Sequence, residues 1–261
     1  MLSTGRAPLD YSSKFNVKLQ PQMSSRQAMR QICRQLLETM EHNEQGIIND
    51  LDPEFLHDFR VAVRRTRSAL GQVRDVLPPE VLQRAKKDFV WLGRITGATR
   101  DLDVYLLERE KYLTRLPEKL LAQLDQFFSD MARRRDMEQK NLAANLRSPE
   151  YMQLVDHWRA YLDGPDHGEE TPNSGRPVVE LARELIRRRY KKVLKRGKAI
   201  KRSSPDEDLH RLRIQCKKLR YTLEFFSSLF PAAGIKQAVN CLLYTSPSPR
   251  DRTRSRMPSS A

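Results

Sequence analysis

The sequence predicts an all-α fold, and three observations carry that expectation. Apolar residues recur at i, i+3, i+4 and i+7 along most of the chain. Prolines and glycines cluster between these periodic stretches. No run of alternating apolar and polar residues is long enough for a useful strand.

Residues 24–48 place Met29, Ile32, Leu36, Leu37 and Met40 on one face, behind Ser24 and Ser25 as candidate N-caps. Pro53 opens a second helix that runs to Leu77. Pro78 and Pro79 end it, and Pro79 stands at the first turn of a third helix reaching Thr96. Gly97 breaks that run. "RDLDVYLLEREKYL" then reads as a short helix and residues 117–146 as a long one. "SPEYMQLVDHWRAYL" follows with Ser148 as N-cap and Pro149 at the first helical position. Residues 163–177, "DGPDHGEETPNSGRP", have no apolar period and read as a linker. Helices over 178–202 and 206–230 come next, then Pro231 and a short piece to Asn240.

The expected organisation is therefore an N-terminal connector (1–23), a first helical bundle (24–162), the linker (163–177), a second bundle (178–240) and a tail (241–261). The tail, "CLLYTSPSPRDRTRSRMPSSA", has three prolines, five serines and no apolar period. It resembles the conceptual translation of a sequencing-library adapter, with Arg252, Thr253 and Arg254 where a sample index would stand. On that reading the natural sequence differs after Asn240, the second bundle is incomplete, and the tail takes no part in function.

The chain has 261 residues, 39% of them apolar, enough for one large core or two small ones. Lys and Arg number 48 against 33 Asp and Glu, a net charge of +15. The tail holds four arginines and one aspartate, so the rest still carries +12. Such a balance calls for a polyanionic partner: nucleic acid, an anionic membrane surface or a phosphate polymer. Cys33, Cys216 and Cys241 lack CxxC spacing, which points to a reducing compartment and away from structural zinc. The first twenty residues hold no signal-peptide h-region, and no apolar run approaches a membrane span. A cytoplasmic location is expected, with no membrane partner.

One basic stretch occurs twice. "HDFRVAVRRTRSAL" (57–70) aligns without a gap on "HRLRIQCKKLRYTL" (210–223), and the match extends from Glu54 and Glu207 to Pro78 and Pro231. This points to a duplicated helical unit. At about 100° per residue, with His57 at zero, Arg60, Arg64 and Arg67 fall at roughly 300°, 340° and 280°. Phe59, Val63, Thr66, Leu70, Val73 and Leu77 occupy a separate core face between roughly 160° and 240°. His210, Arg213, Lys217 and Arg220 repeat the stripe, with Leu212, Cys216, Leu219, Leu223 and Phe226 behind it. Cations spaced at i, i+3, i+4 and i+7 repel by a few tenths of a kcal/mol per pair. Solubility does not require that arrangement twice at the same offsets. A phosphate-rich ligand offsets the repulsion, because guanidinium forks match phosphate oxygens.

"LHDFRVAVRRTRSAL", "WLGRITGATRDLDV" and "LHRLRIQCKKLRYTLEFF", in that order, resemble the signature segments of the CHAD domain (conserved histidine α-helical domain), and the likeness runs from residue 24 to Asn240. The resemblance implies two pseudo-symmetric bundles whose basic helices line a central groove or pore that binds inorganic polyphosphate. It implies a polyphosphate-binding set of His57, Arg60, Arg64, Arg67, His210, Arg213, Lys217 and Arg220, with Arg65 and Lys218, at roughly 80° on the wheel, as outlying members. It also implies association with polyphosphate granules. The connector resembles the one that follows a CYTH triphosphatase domain in two-domain relatives, although no ExExK signature is present.

Other chemistry finds less support. His57-Asp58 resembles the HD pair of metal phosphohydrolases, but Arg211 follows His210 and no further ligand completes a set. His42, His157 and His167 lack a companion ligand at i+3 or i+4. Asp101 and Asp103, one or both, read as carboxylates that aim stripe arginines. Trp91 and Trp158 read as core, and no aromatic interleaves with the cations, against base stacking. The repeat histidines either hydrogen-bond at the helix start or donate to phosphate and become cationic with the anion bound. No catalytic residue, metal or cofactor is expected. The favoured function is non-enzymatic polyphosphate binding, and the alternative is a general nucleic-acid-binding helical protein.

Overall fold

The structure, a computed structural model, describes residues 15–114, 121–165, 171–201 and 203–244. Most of the expected connector, His167 and residues 245–261 of the tail lie outside them. The described residues form helices α1 (Ser25–Ile48), α2 (Pro53–Gln72), α3 (Pro79–Ile95), α4 (Gly97–Leu107), α5 (Arg109–Leu113), α6 (Leu121–Leu146), α7 (Pro149–Asp163), α8 (Val178–Ala199), α9 (Asp206–Phe225) and α10 (Ala232–Tyr244). The all-α class is as expected. Extended pairing among the described residues is limited to an isolated bridge between Ser24 and Pro177.

Local chemistry explains the helix ends. Ser24 Oγ accepts from Gln27 N at 3.1 Å while Ser24 N donates to Gln27 Oε1, a reciprocal capping box. Ser148 caps α7 by accepting from Tyr151 N, with Pro149 in the first turn. α2 stops at Gln72, five residues before the expected Leu77. Asp75 takes a left-handed φ of 56°, and its carbonyl accepts from Asn173 N at 2.7 Å and from Thr171 Oγ1. Val73, Val76 and Leu77 stay buried without being helical. Gly97 begins α4, and only the turn at Thr96 separates it from α3.

The chain forms two compact units that interleave in sequence. One holds the described residues of 33–67 and 79–165, and the other holds 15–32, 68–78, 171–201 and 203–244. This differs from the expected division at 163–177. The reason lies in helix length: at about 1.5 Å per residue, α1 and α2 are long enough for their two ends to join different cores. Nor are residues 171–177 a free linker. Ser174 is buried, Ser25 N and Oγ both donate to Arg176 O at 2.8 Å, and Arg26 N donates to Ser174 O.

In the first unit, Leu36, Leu37, Met40, Phe59, Val63, Phe89, Leu92, Leu142, Tyr151 and Trp158 form the core. Trp158 meets Phe89 edge-on at 5.8 Å and stacks on Tyr161. Trp91 departs from expectation: it is only half-buried, between the charged side chains of α3. In the second unit, Met29, Ile32, Leu70, Val73, Leu181, Leu185, Leu219, Leu223, Phe225 and Phe226 are buried. α10 continues past Asn240 to Tyr244, so the helix does not end where the sequence composition changes.

Candidate functional site

α2 buries Phe55, Leu56, Phe59, Ala62, Val63, Thr66, Ala69 and Leu70. That apolar face leaves the basic stripe on the other side, as the 3.6-residue period requires. Arg64 and Arg67 are exposed, and His57, Arg60 and Arg65 are half-buried.

The α3–α4 junction holds this stripe. Arg60 Nη1 donates to Thr96 Oγ1 at 2.7 Å and to Gly93 O at 3.2 Å. Thr96, fully buried, passes its own proton to Leu92 O. A Cβ on Gly93 would lie 2.9 Å from Arg67 Nη1, so the absent side chain is what lets that guanidinium approach α3. Arg100 completes the set, with Nη1 donating to Pro53 O at 3.1 Å and Nη2 lying 3.0 Å from His57 Nδ1. A guanidinium only donates, so Nδ1 accepts and the ring proton sits on Nε2. The cationic form would require Nδ1 to give up Arg100.

Asp103, one of the two carboxylates expected to aim stripe arginines, is engaged elsewhere. It receives Arg135 Nε of α6 at 2.9 Å, and the same guanidinium grips Asp50 with two hydrogen bonds. Burial pushes the Asp103 carboxyl up and Arg135 pulls it back, while the Asp50 and Asp103 carboxylates hold the Arg135 guanidinium above its ordinary value. This pair fastens α4 to α6 behind the junction. Asp101 is exposed.

The second stripe lies on α9 and differs in support. His210, Arg213 and Lys217 are exposed. Among the described residues no hydrogen bond or ion pair engages His210 or Arg213. Arg220 is half-buried, donates to Glu224 Oε1 at 3.2 Å and stacks over Tyr221 at 5.0 Å. Lys218 is half-buried. An apolar groove of about 710 Å³ runs beside this stripe, where Leu209 and Leu212 meet Tyr190 and Leu194. Leu209 is 46% exposed, whereas its repeat partner Leu56 is 3% exposed in the first unit.

Glu54, His57 and Asp58 bring three ligand atoms within 4.8 Å of one another. The donor set suits a divalent metal poorly: all three come from one helix turn, and the Arg100 guanidinium already occupies the histidine Nδ1.

The family model for the CHAD domain matches residues 31–242. The chain belongs to the CHAD domain family. CHAD domains are linked in general to polyphosphate binding and act as binding domains. The crystal structure of the CHAD domain from the plant Ricinus communis is similar over 93% of this chain and 78% of its own, with 28% identity and a TM-score of 0.72. PptA from Streptomyces chartreusis shares the fold, with 14% identity, a TM-score of 0.57 and coverage of 92% and 88%. Two uncharacterized Mycobacterium tuberculosis proteins, from strains CDC 1551 / Oshkosh and H37Rv, are 27% identical over 170 residues. Those matches cover 64% of this chain, which spans about a third of the length of these relatives. Among the described residues no helix is long and apolar enough to cross a membrane.

Sequence reasoning put both basic stripes on helix faces but missed Arg100, Gly93 and Thr96 as supports of the first. The signal was present in "WLGRITGATR", where a glycine, a threonine and an arginine interrupt an apolar helix.

Proposed function

We propose that this CHAD domain binds long-chain inorganic polyphosphate without catalysis, through His57, Arg60, Arg64, Arg65 and Arg67 of α2 and His210, Arg213, Lys217, Lys218 and Arg220 of α9. The observation that carries the reading is the held first stripe. Arg60 is held by Thr96 and Gly93, the Arg67 guanidinium lies against Gly93, and Arg100 holds His57 through Nδ1. A row of spaced donors suits a polymer that repeats a charged phosphate. Support from the polymer's own negative charge offsets the repulsion within each stripe. In this reading each stripe contributes phosphate contacts, and the protein resides in the cytoplasm.

The test is titration of the full chain against labelled long-chain polyphosphate over a range of salt. Affinity is expected to fall log-linearly and steeply, because each engaged phosphate releases counterions. A flat salt response counts against the reading. Gly93→Ala supplies a companion measurement. Alanine favours a helix over glycine by roughly 1 kcal/mol, so stability should hold or rise. Affinity should nonetheless drop several-fold, because the new methyl displaces the Arg67 guanidinium.

A further inference from the structure

The second unit carries a cationic group apart from the exposed α9 stripe. Arg189 of α8 is 9% exposed, and its Nε is buried with no hydrogen-bond partner among the described residues. At the offset that relates His57 to His210, the buried positions of α8 fall on those of α1. Leu181 matches Ala28, Ala182 matches Met29, Leu185 matches Ile32, and Arg189 matches Leu36, which is 1% exposed. The duplicated unit thus places an arginine where its other copy has a core leucine. Burying an unpaired charge is strongly unfavourable, so a site that retains one calls for an anion.

Other cations gather there. Burial first, then Arg188 and Arg74, lower the proton affinity of Arg189, and Lys192 is lowered by Arg189, by burial, by Arg188, by Arg74 and by Lys218. No carboxylate is among the groups acting on either residue. The scaffold is fixed by buried Gln72 at the end of α2. Its carbonyl accepts from Arg188 Nη2 at 3.3 Å, and its Oε1 accepts from Thr222 Oγ1 of α9 at 2.8 Å.

We infer that Arg74, Arg188, Arg189 and Lys192 form a separate subsite for a short phosphoanhydride chain. Three guanidinium forks and one ammonium group match a compact triphosphate, whose charge is concentrated in a few ångströms. The subsite needs neither Arg60 nor Arg213.

The experiment is calorimetric titration of the full chain with tripolyphosphate and, in a second arm, with adenosine triphosphate, which carries the same chain on a nucleoside. Arg189→Leu restores the residue found in the other copy and should keep or raise the melting temperature. It is expected to weaken tripolyphosphate binding about tenfold, a loss of roughly 1.4 kcal/mol. Lys192→Gln, at an exposed position, should cost a few-fold without touching the core. Arg196→Ala removes one exposed α8 charge outside the group and should change little. Equal affinity for adenosine triphosphate shows that the phosphate chain alone is read, and weaker binding assigns the subsite to the free inorganic chain. The inference is overturned if the wild type does not bind tripolyphosphate, if Arg189→Leu and Lys192→Gln bind as wild type, or if Arg196→Ala weakens binding equally. Loss of long-polymer binding in stripe variants reports on the proposed function alone, so the two readings fail separately.

Discussion

Alanine at both Arg60 and Arg213 is expected to weaken binding to long-chain polyphosphate by about 100-fold or more. A hydrogen bond to a charged group contributes about 1.5–3 kcal/mol, and about 1.4 kcal/mol is tenfold in affinity. Two such losses therefore reach roughly two to four orders of magnitude. The single substitutions should be unequal. Arg60 is already held by Thr96 and Gly93, so little side-chain freedom is lost when the polymer binds. Arg213 is exposed and must be ordered at the moment of binding, which costs up to about 2 kcal/mol of rotamer entropy. Arg60→Ala should thus cost more than Arg213→Ala, measured with the immobilised polymer at one salt concentration. The reverse order contradicts the role given to the α3–α4 junction.

Replacing Arg135 by methionine has the largest expected effect on stability. Asp103 is 2% exposed at its side chain and Arg135 is 14% exposed. Removing the guanidinium leaves a buried carboxylate without its partner, a change that costs about 3–5 kcal/mol. Chemical denaturation followed by circular dichroism checks it. The pH dependence has a definite sign. Without Arg135 only burial acts strongly on Asp103, so its folded-state pKa rises further above the unfolded one. The neutral carboxyl is then favoured in the folded protein, and the lost stability returns as the pH falls toward the ordinary aspartate range. Asp103→Asn in the same background should recover much of the loss at neutral pH. A destabilisation below about 1 kcal/mol, within the range of an ordinary surface pair, contradicts the account.

The duplicated stripe was legible because it is a local property. Phe59, Val63, Thr66 and Leu70 fix the buried face of α2 at a 3.6-residue period, and the arginines follow on the other side. The capping serines, Pro53 and Pro149 likewise act within a few residues of themselves. The supports of the stripe were not legible in the same way. Arg100 meets His57 across 43 positions and Arg60 meets Thr96 across 36, distances that only tertiary packing brings together. The Asp103–Arg135 pair, 32 positions apart, was hidden for the same reason. The interleaved units also escaped the sequence, since the change of core occurs inside α1 and α2 with no break in their periodicity. Arg189 is the exception: Leu181 and Leu185 set a four-residue step that lands on it, so its core position was readable beforehand.

The central claim is that the duplicated basic faces read a phosphate polymer and not polyanions at large. The measurement that tests it most directly is a competition. The full chain is bound to immobilised long-chain polyphosphate in near-physiological salt and displaced by free polyphosphate or duplex DNA at equal phosphate concentration. The account predicts that free polyphosphate displaces the protein far more effectively than DNA. Equal displacement by DNA would reduce both stripes to general electrostatics and contradict the claim.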